Sequence, residues 1–433
     1  MIGKRKLVIG AFVCVTLFMA ACGQQAADNS AKPPEASNKP EREPEKVVLY
    51  YPSGEPDQRY FELVKKKFPE YDISFIPKGR KLEDVIATGE RFDIYQDALG
   101  VYEQMAVNYG FLYDMTDLVK AHHVDVNRFE PGIMDAIRGA MKGQLYALPL
   151  TSNNFVLYYN KTIFDKFGVS YPKDGMNWDE ALALAQKMTR TEAGQQYYGL
   201  TNSPSHMIRI NQMSIPLADY DKNVPTINID ERWRRLFDMV FVQPTKDAGY
   251  QAGIAAQKKI PELNSFTKEQ TVGMYLYLAS LFATPEYLSN MDWNMVSVPT
   301  FKELPNTGTP HYPGLLGITK MARNKDAAME VLKYMVSDEL QSKISRIGII
   351  TPLKSAEVQK ALGEETVFKG KNFGAAYYTK FAPIPRKGVY DADLSSIYSK
   401  YANQLIKNEV DMNTALRLAE EEASKKIAEY KNR

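Results

Sequence analysis

Two short polar stretches follow predicted strands and are the first candidates for chemistry in this chain. Ser53, Gly54 and Glu55 come after the strand "KVVLYY", and Gln96 and Asp97 lie near the end of the strand "RFDIYQDALG". In open α/β sheets, ligands bind outside the carboxyl ends of the strands. Hydroxyl, carboxylate and amide groups at that edge can hold a polar solute by hydrogen bonds. These residues therefore predict a binding site.

The motifs of several common enzyme classes are missing from the sequence. The four histidines, at positions 122, 123, 206 and 311, form no HExxH metal motif. The chain also contains no GxSxG elbow and no phosphate-binding GK[ST] loop. Carboxylate pairs are abundant, so a secreted carbohydrate-active enzyme with two facing acids stays open as an alternative. We expect no catalysis, no metal and no cofactor.

The residues before Cys22 have the pattern of an export leader. Three cations at positions 4–6 precede an uncharged run of 15 residues, Leu7–Ala21, which ends in small side chains. This pattern is typical of a signal peptide, and the run is shorter than the roughly 20 residues that span a bilayer. The sequence "MAAC" resembles the bacterial lipobox, which implies that Cys22 is acylated. We predict a signal peptide over residues 1–21, with an uncleaved anchor helix as the alternative.

Residues 22–45 are predicted to be a disordered tether. They are rich in Pro, Ala, Glu and Asn and contain no aliphatic side chain larger than Ala, so they cannot bury apolar area. Without the three cations of the leader, the chain has 51 basic residues against 52 acidic ones. A nearly neutral protein has no general electrostatic reason to bind nucleic acid or anionic lipid.

The body of the chain alternates strands with helices. Strands are predicted at Lys46–Tyr51, Tyr71–Pro77 and Arg91–Gly100, with helical spacing of apolar residues between them. This alternation predicts an α/β sheet that is largely parallel. The polar run Thr151–Asn154 separates two further strands and predicts a crossing between lobes, and a second crossing is predicted near Asn294–Phe301.

Four segments of the chain together resemble a known family. They are "KGQLYALPLTSNNFVLYYNKTIFDKFG", "NWDEALALAQKMTR", "QTVGMYLY" and "GLLGITKMARNKDAAMEVLKYMVSDELQ". Their order and spacing are similar to those of the extracellular solute-binding proteins of family 1, the sugar-binding subunits of ABC importers. The resemblance covers the chain from about Lys46 to its end.

The resemblance implies a two-lobe fold, like that of maltose-binding protein, with a ligand cleft at the hinge. Each lobe is expected to have a central β-sheet flanked by helices, as in periplasmic binding proteins of type II. Lobe one is expected at residues 46–150 and 300–348, and lobe two at residues 151–299 and 349–433. Closure of two lobes around a ligand follows from the differential affinity of the ligand for the closed state.

The resemblance also implies a set of ligand-binding residues and partners. The candidates are Ser53, Glu55, Gln96, Asp97, Asn153, Asn154, His206, Tyr275, Tyr277, Trp293, Gly314 and Leu315. The implied partners are a small polar solute, with an oligosaccharide favoured, and the membrane subunits of an ABC permease. The protein is expected to act as a monomer, held at the outer face of a Gram-positive cell membrane by lipid on Cys22.

Other ligands and roles stay open on the sequence. Many sugar-binding members have a tryptophan shortly after this strand, where "GMYLYLASLF" offers Tyr277 and Phe282 instead. Stacking here would then use tyrosine, or Trp178 or Trp293. Peptides and polyamines are alternative ligands, and a purely structural surface lipoprotein is another role. Ferric iron is disfavoured, because the adjacent tyrosines of a doublet such as Tyr158-Tyr159 point to opposite faces of a strand.

Overall fold

Two five-stranded sheets organise the computed structural model, which describes residues 44–52, 54–140 and 143–431. The strands are, in chain order, β1 Glu45–Tyr50, β2 Tyr71–Phe75, β3 Ile94–Ala98, β4 Leu148–Thr151, β5 Phe155–Asn160, β6 Arg190–Glu192, β7 Gln195–Asn202, β8 Ala218–Asp219, β9 Val224–Pro225, β10 Val272–Leu278, β11 Trp293–Ser297 and β12 Gly314–Ile318. The predicted leader, Cys22 and the predicted tether up to residue 43 lie outside the described residues.

Helices cover the faces of both sheets. They are α1 Gln58–Lys67, α2 Leu82–Ala87, α3 Val101–Asn108, α4 Thr116–Ala121, α5 Pro131–Ala140, α6 Lys161–Phe167, α7 Trp178–Met188, α8 Pro204–Arg209, α9 Glu231–Phe237, α10 Gln243–Thr245, α11 Ala248–Gln257, α12 Leu263–Thr267, α13 Lys325–Met335, α14 Asp338–Arg346, α15 Ala356–Lys360, α16 Asp391–Ile406 and α17 Met412–Lys431. The start of α7 follows directly from the sequence, because Asn177 and Glu180 cap each other's backbone N–H groups at 3.1 and 2.8 Å.

The first sheet has the strand order β2-β1-β3-β12-β4. Strand β1 runs parallel to β2 and β3, as predicted, whereas β12 runs antiparallel to β3 and β4. The prediction of a largely parallel sheet is wrong for β12. The chain enters β12 at Gly314, which pairs with Ala98 at the carboxyl end of β3, so β12 must run back along β3.

The second sheet has the order β11-β5-β10-β7-β6, and β8 and β9 form a separate short hairpin. Strand β5 is antiparallel to both β10 and β11, whereas β10 is parallel to β7. Consequently the amino end of β5 and the carboxyl ends of β10 and β11 lie at the same edge of this sheet.

Each sheet has its own hydrophobic core. The first core contains buried residues from Val47 to Leu150 and from Leu315 to Leu353. The second core contains buried residues from Phe155 to Phe301 and from Ile350 to Ile427. The lobe boundaries of the sequence analysis stay a prediction.

The second core holds the chain beyond residue 300. The Gln212 amide donates to the carbonyls of Pro299 and Thr307, at 2.9 and 3.1 Å, and thereby ties this loop to the second core. From Pro44 onwards the chain forms one compact unit. Among the described residues, none of the helices has the length and apolar character of a membrane span.

Candidate functional site

Three segments of the chain pass side by side between the two cores. The Ser152 N–H donates to the carbonyl of Ile350 at 2.7 Å, and the Tyr312 N–H donates to the carbonyl of Asn153 at 2.8 Å. The first crossing lies where the sequence predicted it, between β4 and β5. The second crossing lies near Tyr312, so its predicted place at 294–301 is wrong, because β11 pairs with β5 inside the second sheet. Hydrogen bonds therefore join all three crossings.

The two predicted asparagines fix the first crossing in place. The Asn153 amide donates to Ser280 Oγ at 2.6 Å, and its carbonyl oxygen accepts from the Ser280 N–H at 3.2 Å. The Asn154 amide donates to the carbonyl of Ala376 at 2.8 Å. Asn154 is buried, and its carbonyl oxygen accepts no hydrogen bond. Both side chains thus hold the crossing against neighbouring loops of the second core.

Asp97 is a buried carboxylate at the end of β3. It accepts hydrogen bonds from the Tyr95 hydroxyl at 2.8 Å and from the Ala98 N–H at 2.7 Å. Burial raises the pKa of Asp97 to about 6, although its hydrogen bonds and the charge of Arg209 act in the opposite direction. Arg209 belongs to α8, on the second core, so the charge of a residue on the second core acts on this carboxylate of the first.

The close approach of β12 to its neighbours depends on Gly314. A Cβ atom at Gly314 would lie 2.6 Å from Thr151 Oγ1 and 3.1 Å from the Gln96 amide nitrogen. A glycine therefore leaves room for these two polar side chains. The next residue, Leu315, is fully buried in the first core, and its side chain serves packing.

An aromatic cluster forms on the second core around His206. This histidine lies in helix α8. Its ring packs edge-to-face against the rings of Tyr277 and Tyr312, with ring centroids 5.4 Å and 6.3 Å apart. Ser203 Oγ lies 2.8 Å from Nδ1 of His206. Burial, assisted by the charge of Arg209, lowers the pKa of His206 to about 4, so the ring is neutral at pH 7.

The ring of Tyr275 stacks on the ring of Tyr277. Both lie in β10 with one residue between them, so they share a face of the sheet. Their rings stack at 5.1 Å with an interplanar angle of 15°. Tyr275 is 1% exposed, whereas Tyr277 is half-buried. Tyr277 is thus the member of the pair that can meet a ligand.

A small cavity lies where the two cores meet. It is lined by Leu99, Gly100 and Val101 from the first core, and by Arg209, Leu217, Tyr312, Lys387, Asp391 and Ala392. Tyr312 connects the cavity to the aromatic cluster, and Arg209 connects it to Asp97. The end of β3, the first crossing and the aromatic cluster therefore lie near one junction.

The charges in this cavity are buried and opposed in sign. Asp391 is 4% exposed; its Oδ1 accepts from the Tyr220 hydroxyl, whereas its Oδ2 accepts no hydrogen bond. Lys387 Nζ lies 3.5 Å from Asp391 Oδ2 and donates to the carbonyl of Arg209 at 3.2 Å. Burial raises the pKa of Asp391, and Lys387 partly offsets the shift. Oδ2 therefore has Lys387 as an ion-pair partner but accepts no hydrogen bond, and it can accept one from a ligand hydroxyl.

Glu103 of α3 is a third buried acid beside this cavity. Its carboxylate accepts from the Gly100 N–H and so caps the start of α3. A Cβ at Gly100 would lie 3.5 Å from Asp391 Oδ2, so Asp391 packs closely against this helix start. Burial raises the pKa of Glu103 to about 7, and the nearby Asp391 charge acts in the same direction.

The structure does not bring every predicted residue to the junction. Trp293 is fully buried against Tyr158 and Phe368 in the second core. It pairs with Asn160 at the far end of β5 from the crossing, so Trp293 as a ligand contact is a wrong prediction. Glu55 is exposed in the loop after β1. Ser53 lies outside the described residues.

Several residues at the junction carried no signal in the sequence. Arg209, Tyr312 and Lys387 stand in segments without a recognisable motif, and Asp391 resembled an ordinary acidic residue at a helix start. They meet only because α16 packs on the second core after the chain has passed through all of the first core. Within the described ranges, no cluster of three or more His, Cys, Asp or Glu side chains is arranged to hold a metal ion.

Comparison with known families explains this architecture. The bacterial extracellular solute-binding protein family matches residues 52–342, which is more than half of the chain. The chain belongs to this family. A mannitol-binding protein of Pseudomonas aeruginosa is 25% identical over 150 residues, 33% of this chain. That match spans 32% of the mannitol-binding protein, about a third of its length.

Solved structures of this solute-binding protein's fold support the two-lobe architecture. A sugar transporter from Rhizobium etli, in an open conformation, superposes with a TM-score of 0.67 at 19% identity, covering 88% of this chain and 99% of that one. An ABC substrate-binding protein from Listeria monocytogenes, in complex with cycloalternan, superposes with a TM-score of 0.70 at 17% identity. The superposition covers 88% of this chain and 98% of the Listeria protein. The predicted fold class is confirmed.

Proposed function

We propose that this solute-binding protein captures an oligosaccharide at the junction of its two cores and delivers it to the permease of an ABC importer. One observation carries the proposal: Tyr312 lines a cavity between the cores together with the charged groups of Lys387 and Asp391, and the same tyrosine packs against His206 of the aromatic cluster. Tyr277 and Tyr312 offer flat faces for sugar rings, and Asp97 and Asp391 offer acceptors for hydroxyl groups.

The charge arrangement favours a neutral polyhydroxy ligand. Lys387 forms an ion pair with Asp391, and the charge of Arg209 acts on Asp97, so each of these two acids has a cation near it without a charged ligand. A polyamine would leave the two cations uncompensated. The mannitol named for the Pseudomonas relative and the cycloalternan bound by the Listeria protein are both neutral polyhydroxy compounds and support this choice.

A thermal-unfolding panel on the chain from Gly23 to Arg433 tests the ligand class. The panel contains mannitol, linear and cyclic oligosaccharides, peptides, polyamines and ferric citrate. A ligand present at 100 times its Kd adds about 2.7 kcal/mol to the free energy of unfolding, which shifts the midpoint by a few degrees. A shift from an oligosaccharide alone supports the proposal, and chromatography of the recovered sugar tests for the absence of hydrolysis. A shift from peptide, polyamine or iron overturns the sugar assignment.

The cellular part of the proposal rests on the sequence before Pro44. We propose that acylated Cys22 holds a monomeric protein at the outer face of a Gram-positive membrane, with the predicted segment 22–45 as the tether up to β1, which begins at Glu45. Cys22→Ser is expected to release the protein into the medium while its ligand affinity stays unchanged. Retention of Cys22→Ser on the cells overturns the anchor, and size-exclusion chromatography with light scattering tests the monomer.

A further inference from the structure

One side chain of the first core reaches the end of a helix on the second core. Gln104 of α3 is 3% exposed, and its carbonyl oxygen accepts from the Ala392 N–H at 2.9 Å. Its amide nitrogen donates to the Tyr430 hydroxyl at 3.0 Å and lies 3.5 Å from Asp393 Oδ2. The Tyr430 hydroxyl donates to the same Asp393 oxygen at 2.8 Å. A single amide thus connects α3 to both C-terminal helices.

This contact uses groups that a helix start leaves unpaired. Ala392 is the second residue of the 16-residue helix α16, so its N–H has no partner within the helix. The Gln104 amide supplies an acceptor to this N–H and a donor to Tyr430 at once. Neighbouring residues of α3, Tyr102 and Ala106, pack in the first core, so the amide is held in place from that side.

The contact adjoins the cavity but does not form its wall. Ala392 lines the cavity together with Tyr312 of the second crossing, whereas Gln104 does not line it. Removing the Gln104 amide therefore changes the contact between the cores and leaves the residues that face a ligand in place.

We propose that Gln104 is a closure latch, which holds α3 against the start of α16 and slows the separation of the two cores. The role of this latch in ligand release rests on the proposed function, whereas its role in holding the cores together does not. The hydrogen bonds of Gln104 to α16 and α17 exist only when the cores are in contact, so they favour that state over the open one. Loss of two such bonds is expected to lower the ratio of closed to open protein about tenfold.

Spin-label distance measurements test the latch. The chain from Gly23 contains no cysteine, so Lys66→Cys on α1 and Lys425→Cys on α17, both exposed, give two unique labels. The test variant is Gln104→Met, which keeps the volume and removes both hydrogen bonds. The matched control is Gln251→Met, because the Gln251 amide donates to Thr245 and Ile406 carbonyls, at 2.8 and 2.9 Å, inside the second core. Each protein is measured alone and with mannitol or maltotriose.

The latch predicts a short-distance population in the labelled parent and the control, and about a tenfold lower closed-to-open ratio in Gln104→Met. Thermal unfolding of each protein without sugar checks that the variants fold. Equal populations in all three proteins overturn the latch, as does the absence of a short-distance population with and without the sugars. A short-distance population that needs Gln104 but ignores both sugars keeps the latch and counts against the proposed ligands.

Discussion

Ser152 Oγ lies 2.9 Å from Nδ1 of His311, and this buried contact joins two of the three crossings between the cores. The His311 ring also stacks on Phe381, with ring centroids 3.7 Å apart. Burial lowers the pKa of His311 to about 4, so the crossing contains a neutral imidazole at pH 7. Protonation of this ring would place an uncompensated charge at the hinge.

The first prediction is a loss of stability in acid that depends on His311. In the unfolded chain a histidine takes up a proton near pH 6.5, whereas in the folded chain His311 does so at about pH 4. The unfolded state therefore binds more protons between these values, and the free energy of unfolding falls as the pH falls from 6.5 to 4. The contribution is on the order of 3 kcal/mol.

Urea denaturation at several pH values checks this prediction. His311→Gln is expected to lose less stability than the parent between pH 6.5 and pH 4. His123→Asn, which changes an exposed histidine at φ 53°, serves as the control and should follow the parent. Parallel pH curves for His311→Gln and the parent would contradict the prediction.

The second prediction concerns Glu103, whose titration should make the free energy of unfolding fall as the pH rises, in nearly the same pH range. A glutamate in an unfolded chain loses its proton near pH 4.3, whereas burial holds the pKa of Glu103 at about 7. The folded state therefore binds more protons between these values, and stability from this group falls as the pH rises. Glu103→Gln keeps the acceptor for the Gly100 N–H and removes the titration, so it should gain stability over the parent, on the order of 3 kcal/mol, between pH 4.5 and 7.5.

The measurement for Glu103 is the difference in unfolding free energy between variant and parent at each pH. Glu62→Gln, at an exposed position paired with Lys65, is the control and should show a flat difference. A flat difference for Glu103→Gln as well would mean that the Glu103 carboxyl titrates as if it were in water.

A further prediction concerns the contribution of the Tyr277 ring to the affinity for an oligosaccharide. Tyr277→Ala removes the half-buried ring beside His206 and should weaken binding of the responsive oligosaccharide about tenfold, or about 1.4 kcal/mol. Tyr277→Phe keeps the ring and should retain most of the affinity. Isothermal titration calorimetry measures both, with Tyr378→Ala, an exposed tyrosine, as the control. An unchanged Kd for Tyr277→Ala would exclude this ring from the ligand contacts.

The next prediction is that a side chain at position 317 disrupts packing in the first core. A Cβ at this position would lie 1.8 Å from the Tyr102 hydroxyl oxygen and 2.3 Å from the Tyr146 carbonyl oxygen. Gly317→Ala should lower the free energy of unfolding by about 2–3 kcal/mol, because the backbone of β12 must shift. At Gly132 in α5 an added Cβ meets nothing within 4 Å, and Gly132→Ala should raise stability by roughly 0.5–1 kcal/mol. Urea denaturation measures the free energy of unfolding of both variants and of the parent protein. Equal values for Gly317→Ala and Gly132→Ala would contradict the packing argument.

Local patterns predicted the elements well because their causes are local. The Asn177–Glu180 capping pair and the apolar spacing of α13 lie within a few residues of each other, so the chain itself reveals them. The antiparallel entry of β12 could not be read in this way, because its direction depends on the path of the chain through the second core. The direction of β12 is therefore set by tertiary structure and not by the local sequence.

The site was predictable only where it coincides with strand ends. Asp97 and Asn153 follow from the rule that ligands gather at sheet edges and crossings, and both lie at the junction. Arg209 and Asp391 become neighbours of the cavity through contacts between distant parts of the chain. Trp293 shows the reverse error, because a large aromatic residue near a predicted crossing is buried as packing.

The division of the cores along the chain has a consequence for biosynthesis. The first core needs residues up to Leu353, and the second needs residues up to Ile427. A ribosome must therefore make about four fifths of the chain before the first core is complete, and nearly all of it before the second. Folding that depends on such distant contacts is slow. The nascent chain consequently spends most of its synthesis without a finished core, a state compatible with being threaded through a secretion channel.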